Sequence, residues 1–431
     1  MMSVTLIAIF FLLLAIGVPL SLALGMGVVV TLVAFDVPLS LMAQSMFSSM
    51  NSFLLIAVPL FVLAGNVMAG GGISERIFQG ASVIFGRFRG GLGQVNIVGS
   101  AIFGGISGSS VADVVSLGKI EIKAMTDHGY PKAYGAAMTM VTSTLSSVIP
   151  PSILMIIAAS SAGVSVGSAL AGGFGPSAVF IAVLMVLNYV LSVRKKYGEI
   201  SRASFKESIT SIVVGIPALG GPVVILLGLF GGLFTPTEAA AIAVIYSVLV
   251  GMFVYRDMRP RQLPSMFIEA GVTTGTILFI AMVASAASYI FTIDGLPGRV
   301  SAGLTSLTTD PTVIMLLIGL ILLVVGALMD ITAAILLTIP ILLPTAVAAG
   351  VDPLHFVVFL VAALSIGLVT PPVGVSLFAT SFVAKLPMEQ IVRAALPHYV
   401  VLAAAVILLA VFPDLVLLPA QWLTGYVPVG R

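Results

Sequence analysis

Apolar residues occur along this chain in long uninterrupted blocks, and the polar and charged residues fall almost entirely between the blocks. The blocks cover roughly 3–16, 18–35, 52–71, 90–118, 133–165, 169–193, 211–232, 235–255, 270–293, 311–349, 353–384 and 394–420. An apolar run of about 18 residues or more is long enough to cross a bilayer as a helix. The pattern therefore predicts an all-α polytopic membrane protein.

The composition supports this fold class. Of the 431 residues, 59% are hydrophobic and only 8% are charged, whereas a soluble domain has roughly a quarter of its residues charged. The chain has no cysteine, which excludes disulfides and thiolate metal sites. No Lys or Arg precedes the first apolar block, so we interpret that block as a retained membrane helix rather than a signal peptide.

The basic residues indicate how the chain is threaded through the membrane. Sixteen of the 18 Lys and Arg residues lie in 76–89, 119–132, 194–206, 256–261 and 385–393. The positive-inside rule assigns these segments to the cytoplasm. We expect ten spans and two re-entrant hairpins, with both termini on the periplasmic side.

The block at 90–118 is predicted to be the first hairpin. Arg89 and Lys119 flank it, so both of its ends should lie in the cytoplasm. Its 29 residues leave two limbs of roughly 20 Å each, too short for a hydrocarbon core of about 30 Å. The small residues of "FGGISGSSVAD" permit a tight turn between the limbs.

The second half of the chain repeats landmarks of the first. At an offset of 221 residues, Gly105, Gly129 and Pro150–Pro151 match Gly326, Gly350 and Pro371–Pro372. At an offset of 223 residues, Arg76 and Gly80 match Arg299 and Gly303. This spacing predicts repeats at 1–193 and 211–431, joined by a cytoplasmic linker at 194–210. The copy of the hairpin, 311–349, has no basic residue near it and should open to the periplasm.

Inverted repeats of this kind are typical of secondary transporters. The paired prolines should break the helices at 133–165 and 353–384, because proline lacks an N–H and distorts the residue before it. Freed carbonyls are tolerated in a membrane only where protein or a cavity serves them, and Na⁺ is a suitable partner. The alternative is a kink that merely bends a structural helix.

Polar residues at the hairpin tips suggest a binding site. Hydroxyl groups occur at Ser107, Ser109 and Ser110 in the first tip, and Asp330 and Thr332 occupy the second. The N-terminal ends of half-helices would also face an anionic substrate with their positive dipole ends. Asp330, and more so Asp113, could instead act only in capping or packing.

Other motifs have a simpler interpretation. In "FTPTEAAA", Thr235, Pro236 and Glu238 match the start of a helix with a capping box. The chain shows no nucleotide-binding loop, catalytic triad or histidine pair with metal-ligand spacing, so we expect neither ATP-driven transport by this chain nor an enzyme.

Several stretches together resemble the large membrane subunit of tripartite ATP-independent periplasmic (TRAP) transporters. They are "VPLFVLAGNVMAGGGISERI" (58–77), "FGGISGSSVADVVSLG" (103–118), "SSVIPPSILMI" (146–156), "GLFTPTEAAAIAVIYSVLVG" (232–251) and "LVTPPVG" (368–374). The resemblance implies a Na⁺-driven elevator in the bacterial inner membrane, which takes up a carboxylate such as a C4-dicarboxylate or sialic acid. It also implies two partners: a separate small four-helix membrane subunit and a periplasmic substrate-binding protein.

The resemblance also implies roles for particular residues. One Na⁺ site would comprise Ser107, Ser110, Ser147, Val148 and Pro150; a second would comprise Gly326, Asp330, Val369, Thr370 and Pro372; and the substrate would bind at Ser109, Ser110, Asp330 and Thr332. The moving transport domain would span about 52–165 and 273–386, with the remainder as scaffold.

Two other classes of protein remain open from the residues alone. One is a stand-alone Na⁺- or H⁺-coupled anion symporter of similar architecture. The other is a channel or the membrane anchor of an enzyme complex, although a channel would not require the duplication and an anchor usually carries cofactor ligands.

Overall fold

The computed structural model of this protein describes residues 1–50, 56–86, 90–198 and 205–429. Within that part of the chain the secondary structure is helical throughout. The first half forms α1 (Met2–Ala15), α2 (Leu20–Ala34), α3 (Leu39–Met50), α4 (Ala57–Gly70), α5 (Ile73–Phe85), α6 (Gly91–Ser107), α7 (Ser110–Ser116), α8 (Gly118–Asp127), α9 (Lys132–Thr142), α10 (Leu145–Val148), α11 (Ile153–Ala162), α12 (Val166–Gly172) and α13 (Phe174–Lys195).

The second half continues in the same way. It forms α14 (Phe205–Phe230), α15 (Pro236–Leu249), α16 (Leu263–Ile293), α17 (Leu296–Leu307), α18 (Pro311–Leu328), α19 (Ile331–Ala348), α20 (Pro353–Gly367), α21 (Val375–Ala384), α22 (Met388–Val411) and α23 (Asp414–Thr424). The predicted capping box is confirmed, since the Glu238 N–H donates to Thr235 Oγ1 (3.3 Å) and the Thr235 N–H donates to Glu238 Oε2 (2.8 Å).

The helices confirm the prediction of a multi-pass membrane protein. Among the described residues, six helices are long and apolar enough to cross a bilayer, and eight if each of two bent helix pairs is one span. Several other apolar helices, such as α1, α2 and α20, have fewer than 18 residues. For this reason length and composition alone do not reproduce ten spans, and that number stays a prediction.

Both proline pairs lie where a helix is interrupted, as expected. The path of α9 and α10 ends at Val148 and resumes at Ile153, with a bend of 44°. In the second half, α20 ends at Gly367 and α21 begins at Val375. The Pro150–Pro151 and Pro371–Pro372 peptide bonds are both cis.

Each break lies beside a pair of helices that fold back on each other. In the first pair, α6 turns at Gly108, whose φ of +58° favours glycine, and returns through α7 and α8. The returning limb ends at Asp127, beyond the predicted limit of 118. In the second pair, α18 and α19 turn at Met329 and Asp330 and match the predicted range. Arg89, used to orient the first hairpin, is outside the described residues.

Small residues let the fold-back pairs approach the breaks backbone to backbone. A Cβ on Gly105 would lie 2.9 Å from the Pro150 carbonyl oxygen, and one on Gly326 would lie 2.8 Å from the Leu364 oxygen. Gly367 in turn contacts the backbone of Gly326. Only glycine permits contacts this close, so the matched positions of the two halves serve the same packing role.

Both ends of the described chain are fixed to acidic residues at helix boundaries. The Met1 ammonium lies 2.6 Å from the Asp294 carboxylate after α16, and this ammonium, together with Ser3 and Arg299, holds the pKa of Asp294 well below its usual range. At the other end, the Val429 N–H donates to Asp352 before α20 at 2.8 Å. The predicted topology places these helix boundaries and both termini on the same side of the membrane.

The amphipathic stretches 39–50 and 263–270 occupy matching places in the two repeats, and their sequences make them candidates for arms that join the moving domain to the scaffold. The stretch 39–50 forms the separate helix α3. The stretch 263–270 does not form a separate helix, because it is continuous with the rest of the 31-residue helix α16. Residues 199–204 of the predicted linker are outside the described residues, and α14 begins before the predicted boundary at 211.

The glycine contacts predict a stability difference. Gly326→Ala should lower the free energy of unfolding by about 1–3 kcal/mol, because the new methyl group would collide with the α20 backbone. Gly275→Ala in α16 is the control, since a Cβ there meets nothing within 4 Å. Thermal unfolding in detergent measures both, and equal melting temperatures for the two variants would contradict the packing described here.

Candidate substrate and ion site

One cavity of about 380 Å³ brings the two fold-back turns together. It is lined by Val62, Gly65, Asn66, Ala69, Phe103, Ser107, Gly108, Ser109, Ser110, Val111, Ala112, Val115, Ser116, Ile153, Leu154, Thr273, Ile277, Asp330, Ile331, Thr332 and Leu368. All four residues predicted to bind substrate are among them. Two positions 221 residues apart, Ser109 and Asp330, face the same space from opposite halves of the chain.

Three helices point their N-terminal ends at this cavity. Ser109 caps α7 by accepting from the Ala112 N–H (3.4 Å), and Asp330 caps α19 by accepting from the Thr332 N–H (2.8 Å). The third is α11, whose first residues Ile153 and Leu154 line the cavity. Unpaired N–H groups and the aligned peptide dipoles make such ends favourable for an anion.

The cavity offers an anion no basic side chain among its described lining residues. Its donors are backbone N–H groups, the hydroxyls of serine and threonine, and the side-chain amide of Asn66. Among the described residues of the lining, Asp330 alone is charged, so a bound carboxylate would lie near a second carboxylate. A cation beside Asp330 would offset that repulsion.

Sequence reasoning missed the part of the lining that comes from α4 and α16. Val62, Gly65, Asn66 and Ala69 follow one face of α4 at helical spacing, and Thr273 lies on α16. Asn66 is a polar residue within an apolar helix, and this signal could have indicated that it lines a polar site. Nothing in the sequence alone shows that its face of α4 meets the hairpin tips.

The first break is buried and rich in oxygen atoms. The hydroxyls of Ser110 and Ser147 lie 2.7 Å apart and so join the tip to the end of α10. Ser152 donates to the Ser147 carbonyl (2.6 Å) and also accepts from the Met155 N–H (3.2 Å), which caps α11. No backbone N–H of the described residues donates to the carbonyls of residues 148–151.

Two of these carbonyls point to different neighbours. The Pro150 oxygen faces Gly105 in the first hairpin, whereas the Val148 oxygen lies close to Gly173, between α12 and α13. The Pro150 oxygen thus faces the first hairpin, and the hydroxyl of Ser110 in the same hairpin contacts that of Ser147. Val148, predicted as a ligand of the same ion, is directed toward another part of the fold.

The second break is arranged differently. The Ala327 carbonyl accepts from the Val373 and Gly374 N–H groups at 3.1 and 3.2 Å, while Pro371 and Pro372 are exposed. Tyr399 of α22 donates to the Val369 carbonyl at 2.7 Å, so this predicted ion ligand already has a partner.

Two hydroxyls at the second break retain the capacity to bind a cation. Thr370 donates to the Ile366 carbonyl of its own helix (2.7 Å), which leaves its oxygen lone pairs free to accept. Ser376, which the sequence did not single out, is fully buried, and its hydroxyl has no hydrogen-bond partner among the described residues.

Asp113 lies outside the cavity lining. Its carboxylate is buried and accepts from the Ser146 hydroxyl at 3.1 Å, which holds the returning limb of the first hairpin against α10. This agrees with the expected packing role. Asp330, in contrast, both caps α19 and lines the cavity, so the capping role is confirmed and the binding role stays a prediction.

Paired helix breaks beside two fold-back turns, enclosing one polar cavity in an apolar helical chain, define a membrane transport protein. Comparison with known families makes this specific. The model of the tripartite ATP-independent periplasmic transporter DctM component matches residues 7–415, and the chain belongs to this family of TRAP transporter large permease subunits.

The chain is also similar to individual relatives in sequence and to a solved structure in fold. The chain is 36% identical over 403 residues to the C4-dicarboxylate TRAP transporter large permease protein DctM of Pseudomonas aeruginosa, covering 93% of this chain and 94% of the relative. It is 35% identical over 384 residues to the sialic acid permease SiaM of Vibrio cholerae, covering 89% and 90%. The crystal structure of the Alcanivorax borkumensis YdaH transporter shares the fold, with a TM-score of 0.56, 14% identity, and coverage of 85% of this chain and 88% of that one.

The double role of Ser152 yields a stability prediction. Ser152→Ala should lower the free energy of unfolding by about 1–2 kcal/mol, because α11 loses its cap and the buried Ser147 carbonyl loses its donor. Ser306→Ala, which removes an exposed hydroxyl on α17, serves as the control. A Ser152→Ala protein as stable as this control would show that the first break does not depend on the cap.

Proposed function

We propose that this chain is the large subunit of a Na⁺-driven importer that moves an organic acid across the bacterial inner membrane by an elevator mechanism. A small four-helix membrane subunit would accompany it, and a periplasmic binding protein would deliver the acid. The observation that carries the proposal is the single cavity in which both hairpin tips and three helix N-termini meet.

A carboxylate is the ligand that best fits the cavity. Helix N-termini and hydroxyls can donate several hydrogen bonds to its oxygens without a basic side chain. Asn66 could hold a further polar group of the acid. Two relatives are named as transporters of C4-dicarboxylates and of sialic acid, and both are acids of this class.

The residues at both breaks fit a Na⁺ ion. At the first, Ser110, Ser147 and the Pro150 carbonyl supply oxygen atoms beside the first hairpin. At the second, Thr370 and Ser376 supply hydroxyls on either side of Val373 and Gly374, whose N–H groups donate to Ala327 of the second hairpin. Bound Na⁺ would supply positive charge next to the carboxylate site. The role of these side chains is to hold the tips closed against the breaks, so that ion and substrate binding reinforce each other.

Contacts in the fold refine the proposed division into moving and fixed parts. Helices α13 and α22 were expected in the scaffold, yet Asn188 of α13 bonds to both Gly90 and Tyr134, and Tyr399 of α22 bonds to the second break. We therefore assign α13 and α22 to the moving domain with both hairpins. The scaffold would then keep α1–α3, α14 and α15 of the expected division, together with the first part of α16.

The relation of the two tips also supports the re-entrant topology. If α18 and α19 both crossed the membrane, their turn at Asp330 would lie at one face. Instead Asp330 shares a cavity with Ser109, whose own hairpin begins and ends near basic residues. A shared cavity near the membrane midplane is consistent with two re-entrant hairpins, of which the first opens to the cytoplasm and the second to the periplasm.

Uptake into proteoliposomes tests the proposal. The chain is reconstituted with its small subunit and binding protein, and labelled succinate and sialic acid are offered with and without a Na⁺ gradient. Uptake that requires both the gradient and the binding protein is expected. Uptake without the binding protein would indicate the stand-alone symporter, and uptake indifferent to Na⁺ would refute the ion sites.

Matched variants test the two ion sites separately. Ser147→Ala and Thr370→Ala should each raise the Na⁺ concentration for half-maximal uptake about tenfold, equivalent to about 1.4 kcal/mol. Ser143→Ala and Ser365→Ala are the controls, because these buried hydroxyls bond only within their own helices at 2.7 Å. A control that shifts the Na⁺ dependence as much as its partner would argue for a general packing effect.

A further inference from the structure

A second cavity, of about 500 Å³, lies on the same helices as the substrate cavity but contains none of its residues. Six serines contribute to its lining, which consists of Ser48, Ser49, Ile157, Ser160, Ser161, Ala281, Ser285, Ser288, Leu336, Ile339, Pro340, Leu343 and Pro344. None of these residues is charged. So many hydroxyls facing one space are unusual in an otherwise apolar part of the chain.

The second cavity begins one helical turn beyond the first on three helices. Along α11 the lining passes from Leu154 to Ile157, along α16 from Ile277 to Ala281, and along α19 from Thr332 to Leu336. Each step is three or four residues, or about 5–6 Å. The two cavities are therefore successive spaces along one line, separated by a single layer of side chains.

The direction of that line follows from the chain. Helices α11 and α19 run from the hairpin tips toward Ala162 and Ala348, away from the basic segments assigned to the cytoplasm. Along α16 the line leads to Asp294, which binds the N-terminal ammonium. The serine-lined cavity is on the side of the substrate cavity that the proposed topology assigns to the periplasm.

The internal repeat relates this cavity to the opposite side of the substrate site. Val62 and Gly65 of α4 correspond, at an offset of 223, to Ser285 and Ser288 of α16, and Val115 corresponds to Leu336 at an offset of 221. The first members of these pairs line the substrate cavity, and the second members line the serine cavity.

On the cytoplasmic side the substrate cavity continues into a further space. A cavity of about 390 Å³ shares Ala69 and Ser116 with it and reaches Glu75 and Asp257. The structure thus connects the substrate cavity toward the cytoplasm and separates it from the serine cavity. An elevator movement that exchanges the roles of the two repeats would close the connection toward the cytoplasm and would open the substrate cavity to the serine cavity.

We propose that the serine-lined cavity is the periplasmic vestibule of the transporter and a weak, hydroxyl-lined binding site that the organic acid occupies before it reaches the substrate cavity. This inference depends on the proposed transport function and deepens it. Without charged side chains, and at the C-terminal ends of α11 and α19, the vestibule would hold an anion less tightly than the N-termini beyond it. An acid would therefore pass inward rather than remain there.

The absence of cysteine makes the vestibule directly testable, since any introduced thiol is unique in this chain. Ser288→Cys places a thiol in the vestibule, and Ser116→Cys places one on the cytoplasmic side of the substrate cavity. The large subunit with its partners is reconstituted in a known orientation and exposed from the periplasmic side to a charged, membrane-impermeant methanethiosulfonate reagent.

We expect rapid modification of Ser288→Cys and little modification of Ser116→Cys. Whichever acid, succinate or sialic acid, is taken up by the same vesicles should slow the reaction of Ser288→Cys in a saturable way, about tenfold when it is present at ten times its Kd for the vestibule. Glucose, which lacks a carboxylate, should not protect.

Each other outcome overturns part of the inference. Modification of Ser288→Cys only by a membrane-permeant apolar maleimide would show a lipid-filled groove, and modification without protection would show a water-filled space that does not bind the acid. If the unmodified protein showed no Na⁺-dependent uptake, the proposed function itself would be refuted. Failure of the vestibule inference and failure of the proposed function are therefore distinguishable.

A blocking variant gives an independent readout. Ser288→Trp should abolish uptake while leaving binding of the acid from the cytoplasmic side unchanged, because it fills the vestibule without altering the substrate cavity. Ser288→Ala should support normal uptake. Full uptake by Ser288→Trp would rule out passage through this space.

Discussion

The structure depends on how an apolar protein accommodates two interrupted helices. Each interruption leaves carbonyl groups without helical partners, and these groups cannot be exposed to lipid. The first hairpin covers its break by approaching backbone to backbone at Gly105, whereas the second hairpin approaches the end of α20 at Gly326 and leaves Pro371 and Pro372 exposed. At the first break the Ser110 and Ser147 hydroxyls come together beside the hairpin tip, and the proposed cation would bind there. Covering this break and forming the proposed ion site would both be consequences of the same packing.

The same packing sets the electrostatics of the substrate cavity. Helix α11 begins after the first break, and α7 and α19 begin at the two fold-back turns, so three N-termini inside the protein provide positive potential at the cavity without a basic side chain. Asp330 adds a negative charge at the start of α19, and a cation would balance it. This arrangement offers a physical basis for coupling, because an organic anion and a cation each make the site more favourable for the other.

Much of this was predictable from the sequence, for identifiable reasons. Proline pairs, charge distribution and a repeated spacing are local signals, and they indicated the breaks, both hairpins and the four tip residues that share a cavity. The capping box at Thr235 was predicted for the same reason. The direction of the Val148 and Val369 carbonyls was not predictable, since it depends on Gly173 and Tyr399, which approach from distant parts of the chain. The contribution of Asn66, the buried hydroxyl of Ser376 and the attachment of α13 and α22 to the hairpins likewise depend on tertiary packing alone.

We propose that the organic acid binds between the two hairpin tips, with Na⁺ at the breaks beside it. A cryo-EM structure of the complete transporter in a lipid nanodisc, with Na⁺ and the transported acid, would test this binding mode. We expect density for the acid between Ser109 and Thr332, at the midplane of the nanodisc, and density for an ion within contact of Ser147 and the Pro150 carbonyl. Density for the acid elsewhere, or hairpin tips that lie at opposite faces of the bilayer, would contradict it.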